Sequence, residues 1–234
     1  MNKPKKAAAV RSDGIEARER LLHAALRLFA EKGFAKTSTR EIALAAGANI
    51  ASISYYFGDK AGLYRAVFTE PLGRPAEAPD LFDQPQMSLR ESLEGLLTAF
   101  TEPLKQGPLA QQCMRLHFRE MLEPTGLWGQ QIDASIRPAH EALLRVLCRH
   151  LGLAEADDDL HRLAFSIVGL GIHLFVGHDM MQAIKPAIAS TPPAIDLYAE
   201  RLVDYALAMV HGEAQRRQPG TSRILSANKN QRTP

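Results

Sequence analysis

The chain is poor in the residues that cross-link small secreted domains. Its 234 residues include two cysteines, Cys113 and Cys148, and one tryptophan. Two cysteines that do not form a C-x-x-C pair cannot build a disulfide framework. Isolated cysteines on helices are usually small buried hydrophobic residues. We therefore expect a protein of the reducing cytoplasm.

Long hydrophobic runs are also missing. The longest runs from Leu163 to Gly177, 15 residues, and is interrupted by Ser166 and His173. A helix that spans a bilayer needs about 20 apolar residues. The apolar stretch at residues 7–10 is too short for a secretory signal. The run from 163 to 177 therefore predicts a buried helix, and we expect no membrane partner.

Strand patterns are absent as well, and helical spacing takes their place. Apolar residues recur at helical intervals from Ile15 to Lys32, and Gly33 follows where a helix would end. Glycines at 47 and 58 are placed in the same way after the next two segments. The fold class expected is all-α, with helices at 15–32, 38–46, 50–57, 60–70, 88–105, 108–122, 127–151 (broken near Pro138), 157–181 and 194–211.

Residues 38–57 have the pattern of a helix-turn-helix, with two short helices on either side of Gly47. Five apolar residues would pack these helices together: Ile42, Ala46, Ile50, Ile53 and Phe57. Small, amide, hydroxyl and phenol side chains remain outward, where they suit base edges and phosphates. The predicted DNA contacts are Thr39, Arg40, Asn49, Ala51, Ser52, Ser54, Tyr55, Tyr56 and Lys60. On spacing alone, an ordinary helical corner is the alternative.

Net charge is unevenly distributed along the chain. It is +4 over residues 1–11, +1 over 12–70, −7 over 71–212 and +4 over 213–234, although the whole chain carries only +2. Such asymmetry favours a protein in which one part meets a polyanion and another part does not.

Several motifs in the first third of the chain resemble a known family. They are Ala30-Glu31-Lys32-Gly33-Phe34, Ser38-Thr39-Arg40-Glu41-Ile42-Ala43, Ala46-Gly47 and the segment Ile53 to Tyr64. Together they resemble the N-terminal domain of TetR-family transcriptional regulators over residues 13–70. The resemblance implies an all-helical homodimer that binds a palindromic DNA operator, with contacts from Thr39, the reading helix 49–56 and Lys60. Ser54 stands where the family often has a tyrosine.

A second resemblance extends past the proline-rich stretch at 71–87. The segment Asn49 to Phe57, together with Arg115 to Met121 and Glu123-Pro124-Thr125, is similar to the CecR-like branch of the family. Members of that branch resemble regulators of exporter genes. The domains expected are a basic flexible arm (1–12), the helix-turn-helix domain (13–70), a linker (71–87), a helical ligand-sensing and dimerisation domain (88–212) and a disordered basic tail (213–234).

The resemblance implies that the acidic body dimerises and senses a ligand. Helices 157–181 and 194–211 are the expected dimer pair, although their apolar stripes also fit an ordinary core. A small apolar or amphipathic effector would bind among apolar residues with a few polar groups. The candidates are Phe100, Met114, His117, Phe118, Met121, Trp128 and His173. The Arg119-Glu120 pair is interpreted as a surface or structural ion pair.

Two other classes of function stay open. One is a DNA-binding architectural or corepressor-type protein without a small ligand. The other is a helical enzyme that uses the His178-Asp179 region, but the chain has no H-E-x-x-H, G-x-S-x-G, Walker or G-x-G-x-x-G motif. His161, His173 and His178 are not spaced as i, i+4 metal ligands. We therefore expect no catalytic residues, no metal and no cofactor.

Overall fold

Helices form all the regular structure in the part of the chain that is described. The computed structural model describes residues 5–70, 81–126, 129 and 132–218, and for residues 5–13 it describes the backbone alone. The all-α prediction is confirmed. Contacts between Cα atoms divide the chain into two compact units, Met1–Pro75 with Gln106–Gln131 and Ala76–Lys105 with Ile132–Pro234.

Within the described residues, the helices of the first unit whose bounds are defined are α1 (Lys5–Lys36), α2 (Thr39–Ala45), α3 (Ala51–Phe57), α4 (Lys60–Thr69) and α6 (Pro108–Leu122). Helix α1 is interrupted at Gly33, whose φ of 80° lies in the left-handed region, as its predicted place after a helix requires. Helix α1 packs against all four others. Leu21, Leu26 and Phe29 on α1 and Leu63 on α4 are fully buried in this core.

The second unit is a larger helical bundle. Its helices are α5 (Leu89–Lys105), α7 (Arg137–Leu151), α8 (Asp158–Val176), α9 (His178–Ile184) and α10 (Pro192–Arg217), with a π-helical turn at Ile132–Ile136 and a 3-10 turn at Pro186–Ile188. Its core joins Leu97 of α5, Leu147 of α7, Ile167 of α8 and Ala206 of α10, all fully buried. These four helices surround one apolar interior.

Local capping signals position several helix starts. The amide of Glu41 donates to Ser38 Oγ at 3.1 Å, and the amide of Gly62 donates to Asp59 Oδ1 at 2.6 Å. At Ser88 both halves of a capping box form, since Glu91 Oε2 also accepts from the Ser88 amide at 2.7 Å. Asp157 caps α8 through the amide of Leu160. The predicted starts of α2, α4, α5 and α8 are therefore confirmed within one or two residues.

Three predicted helix boundaries are wrong. Helix α1 begins at Lys5, within the segment predicted to be a flexible arm. The helix predicted at 157–181 is broken at Gly177, so α8 and α9 are separate. Helix α10 continues through Gly212 to Arg217, because a glycine with helical neighbours can remain helical when the following side chains form ion pairs. The remaining tail residues, 219–234, lie outside the described part.

The compact units group helix α6 differently from the domains expected from the sequence. The division expected near residues 71–87 would place residues 108–122 with the C-terminal domain. Instead α6 packs on α1 and α4 of the first unit, where its Leu116 is fully buried. Residues 71–80 of the predicted linker lie outside the described residues, and Phe82 within it is buried in the core of the second unit.

Within the described residues, α8 is the one helix long and apolar enough to cross a membrane by length and composition. Its Leu163, Ile167 and Leu174 are buried in the core of the second unit, against α5, α7 and α10. This arrangement agrees with the prediction of a core helix.

Candidate nucleic-acid interface

The turn between α2 and α3 is fixed by backbone geometry and one arginine. Gly47 adopts a left-handed φ of 59°, and the amide of Ala48 donates to the carbonyl of Ala43 at 2.9 Å. Arg20 on α1 donates from Nε to the carbonyl of Ala46 at 3.2 Å. These contacts hold the last turn of α2 against α1 and set the direction in which the chain enters α3.

Helix α3 is short and anchored by a single buried side chain, Ile53, which is 1% exposed. The side chain of Asn49 accepts a hydrogen bond of 2.9 Å from the Ala51 amide at the start of the helix. At the other end, Gly58 has a φ of 80° and its amide donates to the Ser54 carbonyl. With the inner face fixed in this way, the opposite face of α3 is presented to solvent.

Most of the predicted contacts on α3 lie on this outer face. Ala51, Ser54 and Tyr55 are exposed, with Tyr55 at 82%, while Ser52 is half-buried. Tyr56 is half-buried and packs edge-on against the ring of Tyr55, with 4.9 Å between the ring centroids. The prediction that Tyr56 points fully outward is therefore wrong, because its ring also packs against the apolar core of the first unit.

The apolar set predicted between α2 and α3 is partly correct. Ile42 and Ile53 are buried, and Ala46 is 6% exposed, but Ile50 is 49% exposed. Ile50 precedes the first turn of α3, so its side chain does not reach the interior of the helix pair. Sequence spacing could not show this, because the first turn of α3 begins one residue later than expected.

Cationic side chains flank α3 on two neighbouring helices. Lys60, at the first position of α4, is half-buried, and its Nζ lies 4.3 Å from the ring centroid of Phe34. Burial lowers the pKa of Lys60 below 10.5. Arg40 on α2 is exposed and has no ion-pair partner among the described residues, while Thr39 beside it is half-buried. Both cationic side chains lie near helix N-termini, where an anion is favoured.

A buried polar cluster links α4 to α6. Glu120 is 1% exposed and accepts hydrogen bonds from the hydroxyl of Tyr64 at 2.7 Å and from the amide and hydroxyl of Thr125. The interpretation of Arg119 and Glu120 as an ion pair is wrong, because Arg119 pairs with Glu123 at 3.3 Å and donates to the Glu31 carbonyl. The two side chains leave α6 in different directions, which a sequence of adjacent charges does not reveal.

The predicted effector residues are divided between the two units. Met114, His117, Phe118 and Met121 are half-buried on α6 of the first unit. Among these, His117 packs edge-on against Phe68 of α4, with centroids 4.8 Å apart, and its Nδ1 donates to the Cys113 carbonyl at 2.8 Å.

Of the remaining effector candidates, two belong to the second unit and one lies outside the residues that the structure describes. Phe100 of α5 lies against Gly171 of α8, and an added Cβ there would come within 2.5 Å of its ring. His173 is exposed. Trp128 lies outside the described residues.

Histidines of the second unit pair in a way that the sequence did not indicate. His161 on α8 lies 2.9 Å from His140 on α7, measured from Nδ1 to Nε2, and His140 stacks on Phe165. Burial and the neighbouring His161 lower the pKa of His140. Among the described residues, no group of three or more His, Cys, Asp or Glu side chains could hold a metal ion.

Comparison with known proteins gives two family matches that together span most of the chain. Residues 21–67 match the tetR family of bacterial regulatory proteins, and residues 89–212 match the C-terminal domain of the HTH-type transcriptional dual regulator CecR. CecR of Shigella flexneri is 34% identical over 72% of this chain and 78% of its own length.

Solved structures show the same fold. A tetR-family regulatory protein from Rhodococcus has a TM-score of 0.60 at 22% identity, covering 83% of this chain and 96% of its own. HlyIIR, a hemolysin II transcriptional regulator, has a TM-score of 0.57 at 21% identity, covering 82% and 97%. On the family matches and the identity to CecR, the chain belongs to the TetR family of transcriptional regulators, and its C-terminal half is that of the CecR branch.

Proposed function

We propose that this protein is a ligand-responsive repressor that binds a palindromic operator as a homodimer and leaves it when a small, mostly apolar effector binds. The observation that carries the DNA-binding part is the outer face of α3. Ala51, Ser54 and Tyr55 are exposed there, and the helix has no acidic residue. Small and hydroxyl-bearing side chains on a short exposed helix suit close approach to a major groove.

Each exposed group has a part in this proposal. The hydroxyls of Ser54 and Tyr55 donate to base edges or phosphate oxygens, and Arg40 and Lys60 bind phosphates on either side. Ile50, exposed before the first turn of α3, supplies an apolar surface for a thymine methyl group. In a two-fold dimer these contacts are repeated about 34 Å away, one helical turn along the duplex.

Exposed apolar surface on α8 and α10 supports dimerisation through these helices. Phe165 is 62% and Val176 54% exposed on α8, and Leu197 and Tyr205 are each 53% exposed on α10. An added Cβ at Gly169 would meet nothing within 4 Å, so this part of α8 leaves room for a close partner. Exposed apolar patches of this kind mark interaction surfaces.

The buried cluster of Tyr64, Glu120 and Thr125 supports a route from effector to DNA. Lys60 and Tyr64 are both on α4, and Tyr64 is bonded to Glu120 on α6, the helix that also carries Met114 and Met121. An effector that favours one placement of α6 would therefore bias α4 and the attached α3. The effector acts only through its different affinities for the two states, typically by about 1–3 kcal/mol.

The relative's description adds one further candidate. CecR is described as a transcriptional dual regulator, which favours activation at some promoters beside repression at others. For this chain we propose cytoplasmic action on DNA, without membrane association or catalysis, and exporter genes are the targets that the CecR-like resemblance implies.

DNase I footprinting on the DNA upstream of the protein's own gene tests the proposal. We expect a protected palindrome with two half-sites about one helical turn apart. A screen of small apolar compounds should then identify one that reduces protection. If operator binding is found but none of the compounds alters it, the architectural or corepressor-type alternative is favoured. Failure to protect any palindrome would contradict the proposal itself.

A further inference from the structure

A groove in the first unit is unrelated to the residues assigned to DNA or effector binding. It has a volume of about 370 Å³, and its walls come from three helices of that unit. The lining residues are Arg20, His23, Ala24 and Arg27 of α1, Ala45 at the end of α2 and Ala46 directly after it, and Leu109 and Gln112 of α6. The volume falls within the range of about 300–1,000 Å³ that is usual for small-molecule sites.

The groove combines an apolar floor with polar groups that have no partner. Ala24 and Ala46 are buried and Leu109 is half-buried, whereas His23 and Arg27 are exposed at the edge. Within the described part of the chain, neither His23 nor Arg27 forms a hydrogen bond or ion pair, and the same holds for Gln112. Donors that bind no other protein group, beside an apolar floor, are free to bind the charged group of an anion whose apolar body covers that floor.

One arginine of the groove, Arg27, keeps an unpaired charge among the described residues. Glu31, one turn after Arg27 on α1, forms no ion pair with it in the described structure. Arg18, on the same helix, does have an acidic partner, since it holds Glu70 through two hydrogen bonds of 2.7 and 2.8 Å. The groove therefore keeps a local positive charge at Arg27, whereas the charge of Arg18 is paired with Glu70.

We propose that this groove binds a small organic anion, with its carboxylate or phosphate group at Arg27 and Arg20 and its apolar body over Ala24 and Leu109. Arg20 is already oriented, because its Nε donates to the carbonyl of Ala46, while its terminal nitrogens make no hydrogen bond to the described residues. A bound anion would thus contact the arginine that holds the last turn of α2. The site provides a second input to the helix-turn-helix, separate from the effector proposed above.

Titration of the full-length protein with benzoate, followed by NMR of arginine Nε–H and backbone amide signals, tests the site. We expect saturable shifts at Arg20, Arg27, Ala45 and Ala46, and at least about tenfold weaker binding of the neutral analogue benzamide, which lacks the charge-assisted hydrogen bonds. Arg27→Gln should weaken benzoate binding about tenfold. Arg65→Gln, an exposed arginine on α4 outside the groove, is the matched control and should bind as the wild type does.

Equal effects of the Arg27 and Arg65 substitutions, or equal binding of benzoate and benzamide, would overturn the proposal. A second arm distinguishes a free anion from a DNA phosphate. If the groove holds a DNA phosphate instead, Arg27→Gln will reduce the slope of log K against log salt for duplex DNA by about 0.9, and this too overturns the proposal. The benzoate titration uses no DNA, so its result is independent of the proposed function.

Discussion

The hydroxyl of Tyr64 on α4 donates a hydrogen bond of 2.7 Å to the carboxylate of Glu120 on α6, and the carboxylate lies almost wholly out of solvent. Burial, together with the hydrogen bond to Glu120, raises the pKa of Tyr64 far above 10.0, so the phenol keeps its proton. This hydrogen bond, together with the packing of Phe68 on His117, joins the helix that begins with Lys60 to the helix that carries most of the predicted effector residues.

Removal of this hydroxyl should destabilise the first unit. Tyr64→Phe keeps the ring among Phe29, Phe34 and Phe68 but leaves Glu120 with one donor fewer. We expect a loss of about 1–3 kcal/mol in the free energy of unfolding, measured by urea denaturation. Tyr55→Phe, at a residue 82% exposed, is the matched control and should change stability by less than about 0.5 kcal/mol. Equal effects of the two substitutions would show that the buried bond contributes nothing.

Gly33→Ala should be destabilising for two reasons. Gly33 has a φ of 80°, and an added Cβ would lie 2.8 Å from Nε of Arg119. We expect a loss of at least about 1 kcal/mol in thermal or urea unfolding. Gly212→Ala, in α10, provides the opposite case, since an added Cβ meets nothing within 4 Å. That substitution should raise the free energy of unfolding by up to about 1 kcal/mol. If Gly212→Ala destabilised the protein as Gly33→Ala does, the backbone conformation and the contact with Arg119 would not explain the effect at Gly33.

Burial of His117 should make stability depend on pH. Desolvation lowers its pKa below 6.5 despite the hydrogen bond to the Cys113 carbonyl. As pH falls, the unfolded chain therefore takes up this proton first. The contribution of neutral His117 to the free energy of unfolding is therefore complete above pH 6.5. It is lost as the pH falls below that value, by at most about 1.4 kcal/mol per pH unit.

Urea unfolding from pH 7.5 to 5 of the wild type and of His117→Asn measures this contribution. The variant should lose less stability on acidification, and the exposed His211→Asn controls for loss of a histidine as such. Parallel curves for wild type and His117→Asn would rule out the effect. Burial also lowers the pKa values of His140 and His150. Both histidines are present in the wild type and in the variant, so their effect cancels in the comparison.

Lys60→Ala should weaken operator binding and reduce its salt dependence. Loss of one phosphate contact lowers the slope of log K against log salt by about 0.9. Tyr55→Ala should weaken binding by about 1–3 kcal/mol if it reads a base. Fluorescence anisotropy at several salt concentrations measures both quantities, and Arg65→Ala on the same helix as Lys60 is the control. Unchanged affinity and slope in both variants would refute the assignment of these residues.

Phe165→Glu should weaken the dimer proposed above. A charge in the exposed apolar face of α8 would cost about 2 kcal/mol of association, or roughly a thirtyfold rise in the dimer dissociation constant. Analytical ultracentrifugation measures the constant directly. Leu81→Glu replaces another exposed apolar residue, 51% exposed, that belongs to neither α8 nor α10. A dimer that persists in the first variant, or dissociates equally in both, would place the interface elsewhere.

Local signals predicted the reading segment well because its structure is determined locally. The cap at Ser38, the left-handed turn at Gly47 and the stop at Gly58 each depend on hydrogen bonds within five residues. The helix starts at Asp59 and Asp157 are also fixed locally, because each aspartate accepts a hydrogen bond from an amide three residues later. Exposure of Tyr55 could be predicted, since it lies opposite the single anchor Ile53 on a two-turn helix.

Features that depend on distant contacts could not be predicted in this way. Whether Glu120 points to solvent or to Tyr64, 56 residues earlier, depends on how α6 packs against α4. The groove likewise forms only because α6 packs beside α1. The sequence places Glu31 one turn after Arg27, so only the structure shows that the two side chains do not form an ion pair. Apolar periodicity identifies the buried side of a helix but not the helix that covers it.

The extra turn of α10 has a practical consequence for protein engineering. Beyond Gly212, Arg217 binds Asp157 through hydrogen bonds of 2.7 and 2.8 Å, and Arg216 pairs with Asp159 at 2.8 Å. The end of the last helix is thereby tied to the start of α8. A truncation at Gly212, where the sequence alone would place the boundary, removes these ion pairs, so that Asp157 loses Arg217 and Asp159 keeps only Arg162. An affinity tag or fluorescent fusion should therefore be attached after Gln218.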